Sequence, residues 1–154
     1  MKFNKLVPEL GVIDFEKSLK FYTEILGFKV EYSRGDVERE EKEESKKENK
    51  FAFISFEGSQ FMIDEIIKPN NKENKFITGK LEKPFGRGIN FQIEVKDIKP
   101  ILDRLAKNNY PLHMEVCENW YRKGGFLLGS REFMVLDPEG YLLRFSQDIG
   151  KKKV

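Results

Sequence analysis

The chain is poor in the side chains that usually carry chemistry, with one histidine, His113, and one cysteine, Cys117, among 154 residues. A lone cysteine excludes an intrachain disulfide and leaves no thiol pair for a structural zinc site. His113 stands so close to Cys117 along an apparent strand that the two do not make a nucleophile and base signature, and both read as structural. Long apolar runs are absent as well, none approaching the ~18 residues of a membrane span. The opening Met1-Lys2-Phe3-Asn4-Lys5 lacks the apolar stretch of a secretory leader, so the expected location is cytoplasmic, with no membrane partner. Charge of one sign is also missing: 28 Lys and Arg stand against 26 Asp and Glu, net +2. Nothing in that balance advertises a polyanion, and no nucleic-acid partner is expected.

What the chain does have is a repeat. Val7-Pro8-Glu9-Leu10-Gly11-Val12-Ile13-Asp14 and Asn90-Phe91-Gln92-Ile93-Glu94-Val95-Lys96-Asp97 both read as a strand running into a helix N-cap. In the first copy, Phe15, Leu19, Tyr22, Ile25 and Leu26 fall at helical spacing, and Gly27 closes the helix. Strands are expected at 28–32, 51–56 and 60–64, the last two joined by a tight turn at Glu57-Gly58-Ser59. The second copy repeats the order. Asp97 is expected to cap a helix with Ile98, Ile101, Leu102 and Leu105 inward, then come strands at 110–116, 132–136 and 141–145, the last two joined by the turn Asp137-Pro138-Glu139-Gly140. Between strands of the first copy lies the mixed-charge run Glu38 to Lys50, which can bury nothing and is expected to be irregular. The polar stretch 68–83 reads as the connection between copies, and Lys151-Lys152-Lys153 as a solvated end.

These motifs, Asp14-Phe15-Glu16-Lys17-Ser18-Leu19-Lys20-Phe21-Tyr22 with Leu26-Gly27-Phe28 and later Asp137-Pro138-Glu139-Gly140-Tyr141, resemble the vicinal-oxygen-chelate superfamily. That group contains glyoxalase I, extradiol dioxygenases, fosfomycin-resistance enzymes and bleomycin-resistance proteins. The resemblance implies an α+β fold in which two βαβββ modules form a curled eight-stranded mixed sheet, a cup with helices outside. It implies a single domain over 1–154, module one at about 4–67, a linker at about 68–85 and module two at about 86–148. It also implies a homodimer with sites between chains.

Enzymes of this superfamily hold one divalent metal with side chains of the first and last strands of each module. The matching positions here are Val7, Met62, Asn90 and Arg144. Valine and methionine offer no hard donor, asparagine is a weak neutral ligand, and arginine is a fixed cation. The expectation is therefore a protein without metal or other cofactor, closest in character to the bleomycin-resistance proteins, which sequester their antibiotic. Residues two apart on a strand share a face, so Glu9, Gln92 and Glu94 are expected beside the metal positions, with Gln60, Met62, Asp64 and Arg144 from the last strands. Arg144 is expected to pair with Glu9 or Glu94 and to form with Glu9, Asn90 and Gln92 a polar network that replaces the metal and orients a ligand or merely fills the cup. Trp120 and Tyr121, read as lying on a loop bounded by Gly124 and Gly125, are expected either to stack on a flat organic ligand or to anchor a dimer interface. The expected ligand-binding set is thus Glu9, Gln60, Met62, Asn90, Gln92, Trp120, Tyr121 and Arg144, with no catalytic residue assigned. An acid/base or atypical metal-dependent enzyme of the superfamily is the alternative.

Overall fold

The computed structural model describes residues 2–35, 49–66 and 75–154. The expectations for residues 38–48 of the charged run and for 68–74 of the connection fall outside these residues. The chain divides into two compact units, Met1–Glu82 and Lys83–Val154.

Unit 1 runs β1 (Glu9–Val12), α1 (Phe15–Lys20) continued by a π-helical stretch (Phe21–Leu26), β2 (Lys29–Arg34), β3 (Phe51–Phe56) and β4 (Ser59–Glu65). Pro8, which cannot donate to a ladder, stands just before β1, and its carbonyl accepts the Met62 N–H at 2.9 Å. Asp14 caps the helix by accepting the Lys17 N–H at 3.0 Å, and Gly27 ends it in the left-handed conformation at φ 92°. The two-residue hairpin between β3 and β4 places Glu57 at φ 44° and Gly58 at φ 91°, the pair of positive angles that a type I′ turn needs.

Unit 2 repeats the plan with β5 (Asn90–Glu94), α2 (Lys99–Lys107), β6 (Met114–Lys123), β7 (Phe126–Leu136) and β8 (Leu142–Lys153). Each unit is a four-stranded mixed sheet, ordered β1-β4-β3-β2 and β5-β8-β7-β6. Its first and last strands pair in parallel and the others antiparallel. The α+β class and the paired βαβββ modules hold, and the eight expected strands are shared between two sheets of four.

Three local expectations change. Asp97 is not the N-cap of α2: that position is Ile98, and Asp97 accepts from Lys99 N–H at 2.9 Å, two residues on. Trp120-Tyr121-Arg122 is not a loop but the end of β6, paired with Gly129, Leu128 and Leu127 of β7, and the hairpin bend is Gly124-Gly125. The lysine-rich end is the last part of β8, where Lys151, Lys152 and Lys153 pair with Leu128, Leu127 and Phe126.

One face of each sheet is apolar and the other mixes polar side chains with, in unit 1, the aromatic rings of Phe51 and Phe53, because alternate residues point to opposite sides. In unit 1, Leu10, Val12, Ala52, Ile54, Phe61 and Ile63 are buried together with Phe15, Phe21, Tyr22 and Leu26 from the helical segment. Tyr22 packs on Phe28 edge-to-face, with ring centroids 5.5 Å apart. Unit 2 buries Ile93, Phe133, Val135, Leu143 and Phe145 along with Ile98, Ile101 and Leu105. Phe133 and Phe145 stack across β7 and β8 at 5.2 Å. Fully burying each such side chain contributes roughly 1.5–3 kcal/mol, so the apolar faces hold the units together. The other faces are left for chemistry.

Candidate functional site

The site of unit 2 is built by strand register. Gln92 lies opposite Arg144, Glu94 opposite Ser146, and Ser146 opposite Glu132, so these side chains share the face away from Phe145 and Ile93. They line a cavity of about 530 Å³, closed at its other end by Tyr121, Leu128, Asp148 and Lys151.

A hydrogen-bonded chain runs along its floor. The Ser130 hydroxyl donates to Glu132 Oε1 at 2.8 Å. Since that uses the only Ser130 hydroxyl proton, the 2.7 Å contact between Ser130 and Ser146 has Ser146 as donor. Glu132 Oε2 lies 3.9 Å from Arg144 Nη1, with the Glu132 side chain 5% exposed and that of Arg144 29%. Arg144 Nη2 donates to Gln92 Oε1, while its Nε–H is buried without an acceptor. A buried carboxylate with one hydroxyl donor and a neighbouring guanidinium is compensated, so it can stay in the wall of a cavity.

The carboxylate beside Arg144 is thus Glu132 and not Glu94. Glu132 could have been found in the sequence by counting back along the expected antiparallel ladder from Ser146, but its strand was expected to begin only there. Of the expected ligand-binding residues, Gln92, Tyr121 and Arg144 come together around this cavity. Asn90 is exposed at the start of β5, opposite Leu142, and is not part of the cavity wall. Trp120 points to the other face of β6, where Lys152 Nζ lies 3.6 Å from its ring centroid. A Cβ on Gly129 would stand 2.7 Å from the same ring, so that glycine lets the indole lie across β7.

Glu9, Gln60 and Met62 belong to unit 1. Gln60 is structural in its bonding: its Oε1 accepts from Asn4 N–H at 2.7 Å and its Nε2 donates to the Lys2 carbonyl at 2.8 Å, fastening the segment ahead of β1. Met62 is half-buried, paired with Glu9 on one side and Phe53 on the other. Glu9 and Asp64 line a smaller cavity of about 150 Å³ with Gly11, Ile66, Phe76 and Ile77. Burial, with repulsion from Asp64 next, pushes the Glu9 carboxyl above its ordinary range, and Arg34 opposes the rise. Burial also raises Asp64, again opposed by Arg34 and reinforced by Glu65. Around them the same face is aromatic. Tyr32 stacks on Phe53 at 5.3 Å, Phe3 meets Phe53 edge-on at 5.2 Å, and the Arg34 guanidinium sits 4.4 Å over Phe51.

At the positions that the family resemblance implies for metal ligands, Arg144 is a cation already engaged with Gln92, Met62 is a thioether beside a phenylalanine, and Asn90 lies outside the cavity wall. Val7 precedes β1 and has no donor atom in its side chain. Among the described residues no group of three His, Cys, Asp or Glu side chains converges in a way that could hold a metal ion. This donor set does not fit a divalent ion. Among the described residues, no helix is long and apolar enough to cross a membrane.

Comparison with known proteins agrees with the topology. The family model described as Glyoxalase/Bleomycin resistance protein/Dioxygenase superfamily matches residues 3–145. A glyoxalase/bleomycin resistance protein/dioxygenase superfamily member from Vibrio splendidus 12B01 is 30% identical, with 93% of this chain and 97% of that chain covered and a TM-score of 0.39. TioX from Micromonospora sp. ML1 is 15% identical, with 95% and 100% covered and a TM-score of 0.64. The fosfomycin resistance protein FosX from Listeria monocytogenes is 18% identical, with 96% and 94% covered and a TM-score of 0.55. At those identities the last two speak for the fold alone. No curated protein matches the chain.

Proposed function

The chain belongs to the glyoxalase/bleomycin resistance protein/dioxygenase superfamily, and from that premise we propose that it is a metal-free binding protein for a small organic molecule. The ligand lies on the helix-free face of unit 2, and sequestration of an antibiotic or another flat compound is the role. The observation that carries the reading is Arg144, held by Gln92 in the wall of a cavity of about 530 Å³, at a position where enzymes of the family carry a metal ligand. A guanidinium there repels a divalent ion by roughly 8 kcal/mol at 4 Å for an effective dielectric near 20. The same group donates well to oxygen on an organic ligand. Size agrees, since sites for small organic molecules commonly enclose about 300–1,000 Å³.

The test is a thermal-shift screen of bleomycin-type compounds and flat heteroaromatics, followed by calorimetric titration of any compound that raises the melting temperature. The expected result is binding that weakens by about tenfold or more in Arg144→Met, as loss of a charge-assisted hydrogen bond implies. Unchanged affinity in that variant contradicts the reading.

A second reading, a metal-free acid/base enzyme, is favoured by one observation, the raised pKa of Glu9 beside Asp64. A carboxylate so shifted can exchange protons nearer neutrality.

A further inference from the structure

Resting on the binding reading, we propose that the ligand of the unit 2 cavity is a zwitterion with a flat apolar body, the chemistry of an aromatic α-amino acid or of a compound ending in that head group. The inference comes from asking which polar groups of the cavity are already satisfied. Glu132 is engaged by Ser130 and Arg144. Asp148 accepts the Gly150 N–H at 2.7 Å. Lys151 Nζ lies 5.1 Å over the Phe126 ring.

The cavity wall carries hydrogen-bonding capacity of both signs that is not spent, and the pair whose relation the strand ladder fixes is Arg144 and Glu94. Among the described residues, Arg144 spends one of its N–H donors on an acceptor, that of Gln92, and Nη1 stands beyond hydrogen-bond distance of Glu132 at 3.9 Å. Glu94 lines the same cavity, is exposed, and has no hydrogen-bond or ion-pair partner among the described residues. Register fixes their relation: Gln92 opposes Arg144 and Glu94 opposes Ser146, which makes Glu94 and Arg144 diagonal neighbours on the same face of a parallel pair. With strands ~4.8 Å apart and ~3.3 Å per residue, such neighbours stand about 8 Å apart at Cα. One head group with an anionic oxygen and a cationic nitrogen can meet both, the oxygen at Arg144 and the nitrogen at Glu94.

The body of the ligand is set by the far wall. Tyr121 and Leu128 are cross-strand partners that line the cavity while 50% and 38% exposed. Exposed apolar side chains rimmed by polar ones mark a place where apolar surface is received, and the tyrosine ring favours stacking on a flat partner.

Three probes sharing one ring system separate the possibilities: L-tryptophan with both charges, tryptamine with the cation alone, and indole-3-propionate with the anion alone. Calorimetric titration at neutral pH and low salt is expected to give L-tryptophan an affinity about two- to fivefold above each of the others, as an added solvent-accessible ion pair supplies. Glu94→Gln, a substitution at an exposed side chain, is expected to cancel the advantage over indole-3-propionate by lowering the affinity for L-tryptophan, while the affinity for indole-3-propionate does not fall because a repulsive charge is removed. Equal affinity for the three probes, or a tryptophan affinity indifferent to Glu94→Gln, overturns the zwitterion assignment while the binding reading stands. Absence of binding by all three overturns it too, and the binding reading then rests on its own screen and on Arg144→Met.

Discussion

The two units share a strand order, a parallel pairing of first and last strands, and an apolar face of buried phenylalanine, leucine and isoleucine. Their other faces differ. Unit 1 lines its face with Tyr32, Phe51 and Phe53 and leaves Glu9 and Asp64 in a partly dry setting that raises both carboxyls. Unit 2 fills its face with Gln92, Ser130, Glu132, Arg144 and Ser146, joined by hydrogen bonds. Each face also holds an arginine, and the two are used in opposite ways. Arg34 lies over the Phe51 ring, whereas Arg144 is fixed by an amide oxygen beside a buried carboxylate. The difference shows that the repeated skeleton constrains only the helix-side positions. Chemistry on the other face differs: among the described residues unit 2 joins Gln92, Arg144, Ser130, Ser146 and Glu132 around one cavity, whereas the Gln60 amide of unit 1 is spent on Asn4 and Lys2.

That comparison can be broken at several points. The largest expected effect concerns what the units share: Phe61→Ala in unit 1 and Phe145→Ala in unit 2 are each expected to cost ~3–5 kcal/mol in denaturant unfolding, as buried phenylalanines do. A cost below ~1 kcal/mol for either would deny that the two apolar faces are equivalent. Next come the arginines. Arg144→Met strands the buried Glu132 carboxylate and is expected to cost ~1–3 kcal/mol, whereas Arg34→Met loses an exposed cation–π contact of ~0.5–1 kcal/mol. Equal costs would erase the distinction between network and contact.

The helix caps differ in the same direction. Asp14→Ala is expected to cost ~1 kcal/mol, and Asp97→Ala less, because Asp97 binds only the N–H two residues on and the cap itself is Ile98. The smallest effect is a pH dependence in unit 1. Because Glu9 and Asp64 are raised by burial, their folded forms favour the proton, so stability is greatest below the ordinary carboxyl range and declines as pH rises through the raised values. Asp64→Asn is expected to raise the denaturation midpoint at neutral pH, with the gain shrinking as the buffer is made acidic. A gain independent of pH contradicts the assignment.

Much of the skeleton was legible in the residues. The Asp14 cap, the Gly27 terminus and the Glu57-Gly58 turn each need a specific residue type at a specific place, and the sequence supplies it. The long β6–β7 hairpin was not legible, because Val116-Cys117-Glu118-Asn119-Trp120-Tyr121-Arg122-Lys123 does not alternate cleanly and its partners include Gly129, whose missing side chain is filled by the Trp120 ring. Reading that segment as a loop concealed the direction of Trp120. Arg144 was reached through the ligand position that the family resemblance implies, and Gln92 through two-residue periodicity from Asn90. Gln60 satisfied the same periodicity, yet its amide is spent on Lys2 and Asn4, a tertiary use that no local pattern announces.

The central claim of the proposed function is that a fixed cation, Arg144, stands at a position that the family resemblance implies for a metal ligand. The most direct measurement is the metal content of purified protein after equilibration with zinc, manganese, iron and nickel salts and removal of free ions. The account predicts far less than one ion per chain for every metal, unchanged in Arg144→Met. One tightly held ion per chain, lost when Glu132 or Asn90 is replaced by alanine, would contradict it.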